Sequence, residues 1–422
     1  MSVVSDLLKN VKIPDMVKVR QEFPADEVTD VVAKTRAELE QAKIKSLIKP
    51  GMSIAIGAGS RGISNYAKII LTVVEFIKEC GASPFIVAAM GSHGGASAQG
   101  QTDILTGYGI TEAAMGCPLK IAMDTVIIGE TEEGHPVHID AHAAAADGII
   151  VVNRIKPHTA FRGDWESGLM KMLSIGIAKQ KGAEFCHAKG FKHMAHMVPL
   201  FGKAIIKHSS LLFGVALLEN AYDHTADIIA LTGSEIITEE PKLLLRAKAY
   251  MPRLLIDECD VLLVDEIGKN ISGDGMDPNI SGTFATPYAD GGVTAQRVAV
   301  LDITEESHGN GVGWGMADCS TQRAFDKFDG EMSYPNSLTC LVTQVIKVPM
   351  ILKNDKECIQ ASIKTLADVD FDQIRIIRIK NTLSLSEIEV STPLMKKAEE
   401  TNGMRVISAP APLPFDQQGN LF

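Results

Sequence analysis

The stretch Ser53–Ser64, SIAIGAGSRGIS, decides how the chain is read. A short apolar run enters a G-x-G-x-x-G turn made by Gly57, Gly59 and Gly62, and a helix-like pattern, YAKIILTVVEFIKECG, leaves it. Strand, glycine turn and helix in that order are the setting of a dinucleotide-binding fingerprint: the glycines permit a tight turn, and the helix N-terminus offers unpaired N–H groups to a phosphate. A plain strand-to-helix turn has the same pattern. The nicotinamide reading also needs an Asp or Glu roughly 20 residues on, at the end of the next strand, to hold a ribose. Here the next apolar run, PFIVAAM, ends in GSHGGAS, and His93 stands in the neighbourhood where the acid belongs. Arg61 inside the turn adds planar donors suited to a carboxylate or phosphate. NAD becomes the weaker expectation.

Outward from this stretch, strand-like runs alternate with helix-like patterns: SIAI (53–56), PFIVAA (84–89), GIIVVN (148–153), LLFGVAL (211–217) and VLLVDE (261–266). A second series continues through RVAVLD (297–302), IKVPMIL (346–352) and IRIIRI (374–379). Such alternation predicts α/β architecture with mostly parallel sheets covered by helices. A length of 422 residues favours two domains, and the helical stretch SEIITEEPKLLLRAKAYMPR marks the division. The expectation is an N-terminal α/β cofactor-binding domain over 1–255 and a C-terminal α/β domain over 256–399. The active site is expected in the cleft between them, and the proline-rich tail 400–422 to pack back on the first domain.

Composition excludes several classes. The formal charge of −11 disfavours nucleic acid as a partner, and no apolar run approaches the ~20 residues of a membrane-spanning helix. Seven cysteines, an odd number without a C-x-x-C pair, argue against a disulfide framework or a thiolate zinc site. The opening residues MSVVSDLLKNVKIPD lack a secretory pattern. The expected location is cytoplasmic. The expected partner is a small anionic substrate, with no nucleic acid and no membrane, and self-association to a homo-oligomer is left open.

Three reactive side chains follow successive predicted strands: Arg61, then His93 in MGSHGG, then His158 in NRIKPHTAFRG. In an open α/β sheet such loops gather at the carboxyl edge, where ligands bind. A lone histidine near a turn is more often structural, but three equivalent placements shift that weighting. SHGGAS resembles a hydrolase oxyanion loop, yet no G-x-S-x-G nucleophile turn exists in the chain. The segment Pro157–His187, PHTAFRGDWESGLMKMLSIGIAKQKGAEFCH, holds a His, an S-G-x-x-K step (Ser167, Gly168, Lys171) and a second His. Lysine anchors carbonyl or cofactor groups once deprotonated, and imidazole suits divalent transition metals. A solvated helix with ordinary Lys171, Lys179 and Lys181 has the same spacing.

These residues resemble the nickel-dependent lactate racemase family of 2-hydroxyacid racemases and epimerases. The family's P-H, S-G-x-x-K, G-I and distal His match Pro157-His158, Ser167 to Lys171, Gly176-Ile177 and His187. The resemblance implies that Lys171 carries a nickel-pincer nucleotide, a nickel pyridinium-3,5-bisthiocarboxylic acid mononucleotide, through a thioamide bond. It further implies that His187 completes the nickel coordination, that His93 and His158 are paired acid/base residues, and that Arg61 orients substrate. Gly59, Ser60, Ser167 and Gly168 are the matching cofactor-binding positions, and Lys269, in EIGKNISGDG, matches a second-domain lysine near the substrate. His308 and Trp314 fall in a similar loop, ESHGNGVGWGMAD.

Two departures stand out. Extra residues around RGDWE lengthen the spacing from His158 to Lys171, and Ala58 occupies the place of an Asp three residues before Arg61. Arg162, Asp164 and Glu166 around that insertion point to a larger hydroxylated acid, such as a sugar acid or malate, rather than lactate. The implied reaction inverts C2 of the 2-hydroxy acid: hydride leaves to an electron-poor pyridinium, which avoids a carbanion beside a carboxylate, while a histidine takes the hydroxyl proton. The rival readings are a nicotinamide-dependent 2-hydroxyacid dehydrogenase, and a non-catalytic metal- or nucleotide-binding protein whose histidines only chelate.

Overall fold

The computed structural model describes residues 2–60 and 62–422, apart from the side chain of Thr339. The chain divides into two compact units, one of Pro24–Met251 and one of Met1–Phe23 with Pro252–Phe422. Its strands are, in order, β1 (Met16–Gln21), β2 (Ser53–Ala58), β3 (Ser83–Ala88), β4 (Thr125–Glu130), β5 (Pro136–Asp140), β6 (Gly148–Arg154), β7 (Leu211–Glu219) and β8 (Thr225–Thr232). They continue with β9 (Glu258–Ile267), β10 (Thr294–Ile303), β11 (Cys319–Thr321), β12 (Met350–Leu352), β13 (Ile376–Ile379), β14 (Glu387–Ser391) and β15 (Met404–Val406).

In the 24–251 unit, five strands form a sheet of order β3-β2-β6-β7-β8, parallel except for the β7–β8 pair. Both faces are buried, which explains the unbroken apolar runs. Ile54, Ile56, Ile150 and Val152 point to one core with the helix Tyr66–Glu79, and Ala55, Val87, Ile149 and Val151 to the other with Met194–His208 and Gly233–Tyr250. The first crossover leaves β2 toward β3, and β6 returns on the other side of β2. The order in which strands are added therefore reverses between β2 and β6, the place where an open α/β sheet leaves a crevice beyond its carboxyl ends.

The other unit has an eight-stranded sheet of order β12-β11-β10-β9-β13-β14-β1-β15. Pairs from β12 through β13 are parallel, whereas β13–β14, β14–β1 and β1–β15 are antiparallel. The N-terminal residues thus leave the expected first domain: Val17 and Val19 are buried in the core of the second unit, beside Ile388 and Val390. The tail also packs there, through β15 on β1 and the Met16–Ala411 bridge. The burial alternation of MVKVRQ fits a strand covered on one face. No helix among the described residues is long and apolar enough to cross a membrane.

Candidate active site

The glycine turn after β2 is held from inside the sheet. Gly59 N–H donates to Tyr66 Oη at 2.7 Å, and that hydroxyl donates to the Val152 carbonyl of β6 at 2.9 Å. A Cβ on Gly59 would lie 3.2 Å from the Met172 methyl and 3.3 Å from Asn153 Oδ1, so the small residue admits the segment that carries Lys171. A side chain at Gly62 would meet nothing. The helix begins only at Tyr66, with left-handed Asn65 at its N-cap making no side-chain cap. Arg61 lies outside the described residues.

The loop after β3 bends toward the same turn. His93 is exposed, and its Nδ1 hydrogen-bonds Ser60 Oγ, while Tyr108 Oη donates to the Ser60 carbonyl at 2.8 Å. The loop is tied to the Lys171 segment by the Gly91 N–H, which donates to the Gly176 carbonyl at 2.9 Å. At Gly91, with φ of 58°, a Cβ would meet the Ile175 carbonyl at 3.3 Å.

The loop after β6 folds around Glu166. Its fully buried carboxylate accepts from His158 N–H at 2.8 Å and Lys248 Nζ at 2.7 Å, and Arg162 Nη1 approaches it at 3.4 Å. Arg162 also donates to the His158 carbonyl at 2.6 Å. Glu166 and Arg162 therefore brace the inserted loop internally, and only Asp164 of the three polar additions is exposed. The preference for a larger hydroxylated acid loses Glu166 and Arg162 as its support.

Lys171 ends a short helical turn, Leu169–Lys171, and a π-helical segment, Met172–Ile177, follows. Glu240, buried on the helix Gly233–Tyr250, accepts from the Met170 N–H at 2.9 Å and so caps the turn that carries the lysine. Gly168 makes room for it, since a Cβ there would lie 2.1 Å from Glu240 Oε1. Burial pushes the Glu240 carboxyl up to about 8, against weaker lowering by backbone N–H groups. Ser167 pairs with Lys156 through backbone hydrogen bonds at 2.7 and 3.2 Å, which closes the loop base.

Both imidazoles have hydrogen-bond partners on their ring nitrogens. His158 Nδ1 accepts from Ala160 N–H at 3.0 Å, and Lys171 Nζ lies 2.6 Å from Nε2. A neutral imidazole has one N–H. Which partner of the Lys171–His158 pair donates follows from where that proton sits. For His187, Nδ1 lies 2.7 Å from the Ala183 carbonyl, which can only accept; Nδ1 carries the proton and Nε2 keeps a lone pair. Burial holds the His187 pKa below its ordinary value, which keeps that lone pair available. The Phe191 ring stands 6.1 Å from the rings of both His158 and His187.

Three more residues are fixed by contacts of their own. Lys179, solvated in the plain-helix reading, is fully buried and ion-paired with Asp140 at 3.0 Å. Trp314 is a core residue whose indole N–H donates to Ser320 Oγ at 2.7 Å. Lys269 follows β9 in the other unit; its N–H donates to Ser307 Oγ at 2.7 Å and its Nζ to the Gly273 carbonyl. Glu240 escaped notice in the sequence, where it reads as one more acid in a charged helix.

A metal would find no all-protein cage here. No group of three His, Cys, Asp or Glu suited to a metal occurs among the described residues, and burial pushes the neighbouring Cys186 thiol up to about 12. A single imidazole whose Nε2 keeps a lone pair fits a metal that arrives already chelated by an organic group.

Residues 8–197 match the family model described as the lactate racemase N-terminal domain. A search of curated proteins finds no match. Among solved structures, the chain is similar to the lactate racemase apoprotein from Thermoanaerobacterium thermosaccharolyticum, at 14% identity and a TM-score of 0.55, over 88% of this chain and 99% of that one. At that identity the likeness speaks for the fold.

Proposed function

We propose that this chain, whose residues 8–197 match the lactate racemase N-terminal domain, is a lactate racemase relative that inverts the C2 carbon of a 2-hydroxy acid with the help of a nickel-pincer nucleotide anchored on Lys171. The observation that carries the reading is the 2.6 Å pairing of Lys171 Nζ with His158 Nε2, which puts an imidazole where it can take the proton that the amine sheds on becoming a nucleophile. His187 supplies the metal ligand, and its Nδ1–H bond to Ala183 fixes the ring's orientation, as metal-bound histidines require. When bound, the cofactor supplies an electrophilic centre for the C2 hydrogen.

The chain's own residues do the proton work. Acylation of Lys171 would end the amine's hold on His158 Nε2 and leave that nitrogen to the substrate hydroxyl. His93, held by Ser60 and exposed to ligand, serves the opposite face. One imidazole takes the hydroxyl proton and the other returns one, with the roles exchanged for the other stereoisomer; an imidazole pKa near ~6.5 suits both tasks. The glycine turn after β2, beside Ser60, is the place for the cofactor phosphate. The reading is tested by producing the protein in cells that make the cofactor, measuring its intact mass and assaying pure stereoisomers of short 2-hydroxy acids. A nucleotide-sized adduct with stereoisomer interconversion supports it; NAD-dependent oxidation without an adduct points to a dehydrogenase.

A further inference from the structure

Lys179 takes no part in the proton transfer just described, yet it is buried to 0% exposure with a left-handed backbone, φ 56°. A lysine is rarely buried without a paired charge, and a non-glycine residue held at positive φ needs surroundings that over-determine it. Its ammonium donates to the Ala88 carbonyl at the end of β3 at 2.6 Å and to Gln101 Oε1 at 3.4 Å, and forms an ion pair with Asp140 Oδ2 at 3.0 Å. Asp140 is fully buried too, and its other oxygen caps the Ala143 N–H at 2.9 Å. Gln101, also fully buried, spends its amide N–H groups on the Gly91 carbonyl at 3.1 Å and the His93 carbonyl at 3.2 Å. The connection is short and uninterrupted. Lys179 begins the helix Lys179–His187, directly after the π segment that starts beyond Lys171, and through Gln101 it reaches the backbone of His93.

We propose that Lys179 is a positioning residue which, with Asp140 and Gln101, sets the His93 loop against the segment bearing Lys171 and His187. The inference rests on the reading of His93 as an acid/base group. Burial lowers the lysine pKa and Asp140 offsets this, so the pair holds its charges only while both partners are present. Loss of either leaves an uncompensated buried charge next to the loop. Loss of Gln101 leaves the ion pair intact and cuts only the two bonds to the loop backbone.

The test compares Gln101→Leu, Lys179→Met and the charge-neutral pair Lys179→Met with Asp140→Leu, with histidine-ring 15N NMR and steady-state kinetics on each. In Gln101→Leu, which keeps the buried ion pair, the His93 ring nitrogens should shift as the Ser60 bond loosens while those of His158 and His187 stay in place. Turnover should fall by roughly 10- to 100-fold with KM little changed, the scale set by a displaced catalytic group. Lys179→Met should unfold more readily, and the double variant should recover folding without recovering the His93 signal. An unmoved His93 signal in folded Gln101→Leu or in the folded double variant overturns the proposal. A shifted His93 signal in a protein that interconverts no hydroxy acid leaves the positioning intact and refutes the catalytic reading instead.

Discussion

Lys171 Nζ and His158 Nε2 lie 2.6 Å apart, within reach for a proton to pass from the amine to the ring. An imidazole so placed can take the proton that an attacking amine sheds. Acylation of the apoprotein at pH 7 should accordingly favour Lys171 over Lys181 and Lys189, and His158→Ala should slow labelling of Lys171 by at least about tenfold through the lost base. Peptide mass mapping after brief exposure to an amine-acylating reagent measures both. Equal labelling of Lys171 with and without His158 would show that the imidazole does not assist the amine.

His187 separates holding a cofactor from binding metal. In protein made with the cofactor, His187→Ala should lose nickel affinity by at least roughly tenfold while the Lys171 adduct persists, because the covalent bond forms at another residue. Metal analysis paired with intact mass distinguishes the two. Full nickel retention would make His187 a structural residue.

Glu240 gives stability a pH dependence. Its carboxyl is raised from an ordinary 4.5 to about 8 by burial, so the native state holds a proton that the unfolded chain releases. The contribution is fully present below the unfolded value and is lost as pH rises through about 8, with a slope of up to about 1.4 kcal/mol per pH unit between the two. Urea unfolding from pH 5.5 to 8.5 should show the wild type weakening relative to Glu240→Gln. Parallel curves would mean that the carboxyl titrates normally.

Gly168 is required by space. Its extended backbone, φ −176°, suits any residue, but a methyl would fall 2.1 Å from Glu240 Oε1 and 3.2 Å from Ile155 Cγ1. Gly168→Ala should therefore cost about 1–3 kcal/mol by overpacking and slow cofactor attachment at Lys171. Combining it with Glu240→Ala should recover part of the stability. No recovery would place the strain elsewhere.

The sequence made the scaffold legible because strands buried on both faces read as continuous apolar runs: β2, β3, β6, β7, β9 and β10 all fall on runs such as SIAI and GIIVVN. β1, β14 and β15 were hidden by their alternation and by distance along the chain, for β1 pairs with strands nearly the whole chain away. The site divides in the same way. Loop positions after strands marked His93 and His158, and the spacing of S-G-x-x-K marked Lys171. Nothing local announces that Lys179 is buried with Asp140, or that Glu166 turns inward to Lys248, since each depends on a partner on another element.

The most direct test of the central claim is to incubate the cofactor-loaded protein in D2O with one stereoisomer of a 2-hydroxy acid and follow both configuration and isotope at C2. Inversion through departure and return of the same hydrogen predicts the opposite stereoisomer with protium retained at C2. Deuterium at C2 of the inverted product would mean that the hydrogen leaves as an exchangeable proton, and the absence of inversion across a panel of 2-hydroxy acids would contradict the assignment altogether.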